Sequence, residues 1–208
     1  MEALEEAVSD YESSVTAQAA QYLHGRGIDR ETAVRARLGV VVDPHPGHSR
    51  FAGWLAIPYL DKDGRPLTIR FRCLAQHNCR DFGHGKYATL TDDNPRMFNV
   101  GAIWRAGDDI HVTEGELDAL VLEKIGLHAV AVPGVNLWQK HHRRMLAGFS
   151  RIWVWGDPDD AGATFNARVT KALRQAKAVR LQDGDVTDNY LAGGADRLYA
   201  YIGQEMTK

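Results

Sequence analysis

Residues 156–162 read Gly-Asp-Pro-Asp-Asp-Ala-Gly, three carboxylates within four positions directly after the apolar run Arg-Ile-Trp-Val-Trp. Two other acidic segments have the same setting. Glu114-Gly115-Glu116-Leu117-Asp118 follows Ile110-His111-Val112-Thr113, and Asp183-Gly184-Asp185-Val186-Thr187-Asp188 follows Ala178-Val179-Arg180-Leu181. Carboxylate oxygens are the donors that suit magnesium and manganese, and a cation among them relieves their mutual repulsion. Pro158 disfavours the helical region for Asp157 and holds it extended, so Asp157 and Asp159 point toward one side. The same residues also suit a helix N-cap, with neighbouring acids at the helix's positive end. Each helix can be capped without paired acids, so three acidic clusters at three strand ends weigh toward a divalent-metal site. Glu116, on a first helical turn, is expected to be exposed rather than a ligand. Asp118, one turn on from Glu114, is expected to brace the site or a basic neighbour.

The apolar spacing supplies the elements that must hold these acids. Residues 2–23 read as a helix, and residues 29–37 as another opened by an Asp cap. Val40-Val41-Val42 leads into a Pro- and Gly-containing loop at 43–48, and strand-like residues 54–60 and 67–74 flank an Asp61-Lys62-Asp63-Gly64 hairpin turn. From residue 110 the pattern alternates, with strands at 110–113, 128–132, 152–155 and 178–181. Helices fall at 116–125, 137–146, from the 157–160 turn through 176, and near 189–201. This βαβα order predicts a parallel sheet covered by helices, with sites at the carboxyl ends of its strands. The expected fold class is α/β: a parallel sheet with flanking helices over residues 106–208, preceded by a small α+β piece over residues 1–105.

The 208-residue chain has room for one large domain or two small ones. No apolar run is long enough to span a bilayer, and the acidic start Met-Glu-Ala-Leu-Glu-Glu is unlike a basic signal peptide, so a cytoplasmic protein with no membrane partner is expected. A formal charge of −2 hides an uneven distribution: residues 1–15 carry −5, residues 16–105 carry +5 and residues 106–208 carry −2. A basic surface beside a carboxylate cluster suits a polyanion handled with metal ions, although such asymmetry also marks an ordinary solvated face.

The acidic segments resemble the TOPRIM domain shared by bacterial-type primases, type IA and II topoisomerases and some nucleases and recombination proteins. That family places Glu-Gly after its first strand, Asp-x-Asp after its third and further acids after its last. Glu114-Gly115, Asp157-x-Asp159 and Asp185/Asp188 stand in those places. The Glu-Gly-x-x-Asp form, with Asp118, is similar to the DnaG-type primases. So are Tyr22-Leu23-His24-Gly25-Arg26-Gly27-Ile28, Arg37-Leu38-Gly39, Ile57-Pro58-Tyr59, Asp63-Gly64-Arg65, Arg70-Phe71-Arg72, Gly85-Lys86-Tyr87 and Met97-Phe98-Asn99-Val100. The resemblance covers roughly residues 16–205. The final acids depart from it, as Asp-x-x-Asp instead of the Asp-Pro-Asp of cellular enzymes, which is closer to phage and plasmid forms. The zinc-binding and helicase-binding domains of a full-length bacterial primase do not fit in this length.

The resemblance implies a DNA primase core that joins nucleoside triphosphates into short RNA primers on single-stranded DNA, with magnesium or manganese. It assigns Glu114, Asp157 and Asp159 to catalysis, and these three with Asp185 and Asp188 to metal. Glu114 is then a proton acceptor or a metal partner. A replicative helicase or a separate zinc-binding subunit is the further partner it implies, in the host cytoplasm if the chain is phage-encoded. A TOPRIM nuclease and a non-catalytic nucleic-acid-binding subunit of a replication complex are the alternatives.

Arg70, Arg72, Lys86 and Arg96 are the candidates for template or nucleotide phosphates, against a solvated strand face. Lys140-His141-His142-Arg143-Arg144 reads as a helix surface. Gly134, in Pro133-Gly134-Val135-Asn136, either lets a substrate approach the backbone or marks a turn. Two cysteines do not make a disulfide framework. Cys73, His77, Cys79 and His84 are residue types that bind zinc, but their spacing matches no common finger, so ordinary reduced thiols are expected in place of a zinc site.

Overall fold

A computed structural model describes residues 2–90, 95–134 and 137–203 of the protein. The chain divides into two compact units, residues 1–94 and 95–208.

In the first unit, α1 (Glu2–Ser13), α2 (Ala17–Gly25) and α3 (Arg30–Arg35) precede an antiparallel sheet. Its order is β1 (Gly39–Val40), β2 (Leu55–Leu60), β3 (Pro66–Arg72) and β4 (Tyr87–Ala88). The single helix expected over residues 2–23 is two. Thr16 is extended and its hydroxyl accepts the Ala19 N–H at 3.2 Å, so a second helix begins there. Asp29 opens α3 as expected, accepting the Thr32 N–H at 2.8 Å. Val8, Tyr11, Phe51, Ile69 and Phe71 fill this unit's core, with the Phe51 and Phe71 rings stacked 4.0 Å apart.

The second unit carries the expected parallel sheet, in the order β6 (Ala129–Ala131), β5 (Asp109–Thr113), β7 (Arg151–Trp155), β8 (Ala176–Val179). The crossovers contain α5 (Glu116–Lys124), α6 (Lys140–Leu146) and α7 (Asp160–Ala172), and α8 (Val186–Tyr201) follows β8. Ile110, Val112, Val130, Ile152 and Val154 are wholly buried, as strands covered on both faces require. This unit begins at Pro95, earlier than the expected 106, because Met97 and Ala102 enter its core and Phe98 bridges Ala131. The short α4 (Ala102–Arg105) belongs to it. Three boundaries also move. α6 starts at Lys140 behind a Gln139/His142 capping box, β8 lies two residues earlier than expected, and α8 starts at Val186 behind Asp185. Gly194, with φ 65°, interrupts α8. None of the described helices is long and apolar enough to cross a membrane.

Candidate active site

From β5 the chain passes to β6 on one side, then returns to β7 and β8 on the other. A reversal of strand order leaves a crevice at the carboxyl ends of the strands on either side of it, here β5 and β7. Glu114 directly follows β5 and Asp157 follows β7, and the Asp157 N–H donates to Glu114 Oε1 at 3.3 Å. Topology alone therefore brings together acids 43 residues apart in the chain.

Glycines give the Asp157 turn its tightness. A Cβ at Gly162 would overlap the Asp157 backbone, and one at Gly156 would overlap the Gly162 carbonyl. The start of α7 can thus press against the end of β7. Asn166, one helical turn further on, accepts the Gly156 N–H at 3.0 Å. Asp159 Oδ1 accepts the Gly162 N–H at 2.8 Å and caps α7. Capping therefore uses one oxygen of Asp159 and leaves the other for a ligand.

Glu114 is half-buried, and its carboxyl is pushed up to about 7, first by burial and then by the charges of Asp157 and Asp159. The Asp157 N–H opposes this only in part. A divalent cation would reverse the effect, and an all-oxygen donor set suits magnesium or manganese. Glu114 and Asp157, with the second oxygen of Asp159, are the residues that would hold it. Among the described residues, the acids do not close into one tight ligand cluster. Asp185 Oδ1 accepts the Asp188 N–H at 2.8 Å and Asp188 Oδ2 accepts the Asp185 N–H at 3.2 Å, so this pair forms a reciprocal cap on α8.

Asp118 is buried in α5, and its Oδ1 accepts both the Thr187 N–H at 3.1 Å and the Thr187 hydroxyl at 2.7 Å. That pair of bonds ties the first turn of α8 to the helix that starts two residues after Glu114. Gly115 is needed beside it, since a Cβ there would come within 2.5 Å of Asp118 Oδ2. Glu116, expected to be exposed, is 1% exposed. α5 buries the first two turns of its length against the sheet and α8, leaving no solvent face at that position. Asn189, for which the sequence carries no signal, is buried and donates to the carbonyls of Asp183 at 2.7 Å and Asp185 at 2.9 Å, holding the last acidic loop. Asn166 and Thr187 are hidden for the same reason: a neutral side chain that braces a turn has no spacing signature.

The basic candidates fall on both units. In the first, Arg70 is half-buried and Lys86 exposed. Arg72 is 9% exposed, its guanidinium lying 4.7 Å from the Tyr22 ring centroid and 4.8 Å from that of Tyr87. Packing on these two rings holds its guanidinium in place. In the second unit Arg96 is half-buried, and Gly134 is exposed with φ 115°, a backbone that favours glycine; Val135 and Asn136 lie outside the described residues. In the first unit both cysteines are free thiols as expected, but the four ligand atoms of Cys73, His77, Cys79 and His84 lie within 4.8 Å of one another, close enough to hold a metal ion. Spacing was a poor guide because a 3-10 turn at Cys79–Phe82 and a left-handed Gly83 fold the segment back on itself.

A family model described as Toprim-like matches residues 111–190. The Gene 57 protein of Mycobacterium phage D29 is 34% identical over 157 residues, covering 73% of this chain and 99% of that protein. The structure of the Aquifex aeolicus primase (zinc-binding and RNA polymerase domains) is similar with a TM-score of 0.80 and 21% identity, over 96% of this chain and 59% of that one. The RNA polymerase domain of Mycobacterium tuberculosis primase DnaG, in complex with a double-stranded DNA oligomer with a 6-nucleotide overhang, gives a TM-score of 0.76 and 21% identity, over 99% of this chain and 79% of that one.

Proposed function

The chain belongs to the TOPRIM-domain proteins of the DnaG primase type, and from that premise we propose that it makes short RNA primers on single-stranded DNA by metal-dependent nucleotidyl transfer. The observation that carries this reading is the Glu114–Asp157 contact at the point where the strand order reverses. A magnesium or manganese ion, when bound, would supply Lewis-acid chemistry for nucleotidyl transfer. Asp157 and Asp159 would hold that ion. Glu114, whose carboxyl the ion would favour in its ionised form, would take the proton of the attacking 3′-hydroxyl. Asp118 positions α8, and with it Asp185 and Asp188, through Thr187. In the first unit Lys86 and Arg70, and in the second Arg96 and the open backbone at Gly134, are the candidates for template or nucleotide phosphates. A replicative helicase or a separate zinc-binding subunit is the partner that goes with this activity, in the host cytoplasm.

The test is incubation of the chain with labelled nucleoside triphosphates, single-stranded DNA and magnesium or manganese, with products sized on a gel. Short RNAs that need both template and metal are expected. Cleavage of the DNA without nucleotides would replace this reading by a TOPRIM nuclease, and binding without either reaction by a non-catalytic subunit.

A further inference from the structure

We propose that Cys73, His77, Cys79 and His84 form a zinc site in the first unit, separate in chemistry from the carboxylates and independent of the primase reading. Their four ligand atoms lie within 4.8 Å of one another, and Cys73 Sγ is 3.5 Å from His77 Nε2. Bond lengths of about 2.3 Å to sulfur and about 2.0 Å to nitrogen give a tetrahedral S···N edge of about 3.5 Å. The loop is built to hold that arrangement. At one end the Cys73 N–H donates to the Lys86 carbonyl at 3.0 Å, at the foot of β3 and β4. The 3-10 turn Cys79–Phe82 is capped by the Asn78 side chain, and Gly83 with φ 72° turns the chain so that the His84 N–H meets the Cys79 carbonyl at 3.1 Å.

The surroundings orient the ligands. His84 Nδ1 lies 3.0 Å from the Gly85 carbonyl, which accepts its proton and leaves Nε2 with a free lone pair. The His77 ring stacks on Phe82 at 4.3 Å, and His84 packs against Trp54 at 5.0 Å. Cys73 is buried and packs in this unit's core, and Cys79 packs against the same cluster. Two thiolates with two imidazoles select zinc over the hard ions that suit carboxylates. Bound there, zinc would fix the segment that leads directly into Lys86 and Tyr87, whose ring carries the Arg70 and Arg72 guanidinium groups at 4.6 and 4.8 Å. Bound metal would thus steady Lys86 and the start of β4.

The experiment titrates cobalt(II) into the reduced, chelator-treated full chain. Thiolate-to-cobalt charge-transfer absorption reports sulfur ligands only, so carboxylate sites are silent. Saturation at about one cobalt per chain is expected, with displacement by zinc and a Tm raised by about 5 °C or more on zinc binding. Asp157→Asn should keep the signal. Cys79→Ser should lose it, and His84→Gln, with folding checked by circular dichroism, should weaken binding at least about tenfold. The proposal is overturned if the folded, reduced wild type gives no charge-transfer band or if zinc leaves the Tm unchanged.

Discussion

Glu114 is held between two opposing demands. Burial and two neighbouring acids keep its proton on until about pH 7, whereas a cation beside it favours the ionised form. Its folded value lies above the ordinary 4.5, so protons compete for the site as pH falls through 7, and ionisation is complete only above that point. Manganese affinity, followed by electron paramagnetic resonance, should therefore fall several-fold, and at most about tenfold, for each pH unit below 7 in the wild type. In Glu114→Gln the affinity should start lower and stay flat over that window. A parallel slope in the variant would mean that another group sets the pH dependence. The acid pairing itself was legible from residue types and positions, because capping does not call for paired carboxylates at successive strand ends. The burial of Glu116 was not, since a helix's first turn is exposed or covered according to what packs on it.

Among the elements, the site depends on how closely α7 approaches the end of β7. Gly162→Ala would drive a methyl group into the Asp157 backbone, and should cost about 2–4 kcal/mol in urea unfolding, with loss of activity in whatever remains folded. Gly148→Ala, with open space around it, should change stability by less than about 0.5 kcal/mol. Equal costs would show that the turn relaxes freely and does not hold Asp157 in place. The alternation from residue 110 onward was readable because buried parallel strands are short apolar runs between helical periods. The break between α1 and α2 was harder to read: Thr16 is an N-cap inside a sequence with helical spacing on both sides. The convergence of the Cys/His loop was hidden further, because ligand spacing along the chain says little where a left-handed glycine redirects it.

For the molecule as a whole, the excess of basic charge over residues 16–105 should draw a single strand by counterion release. Arg70, half-buried, and Lys86, exposed, are the first-unit candidates for contact with a strand, beside Arg72 packed between two tyrosine rings. Arg70→Ala/Lys86→Ala should flatten the slope of log affinity against log salt by about 1.4, roughly 0.7 for each phosphate no longer neutralised, with similar effects across sequences. Fluorescence anisotropy over a salt series checks this, and an unchanged slope would make these residues a solvated face. The carboxylates at the carboxyl ends of β5 and β7 should perform the chemistry and should not be needed to hold the fold. The decisive measurement is the initial rate of RNA dinucleotide formation on single-stranded DNA in manganese, for the wild type, Glu114→Gln and Asp157→Asn, each matched with its Tm. The expected result is a fall of at least about 100-fold in both variants with the Tm within a few degrees of wild type. Rates within a few-fold of wild type in both folded variants would contradict it.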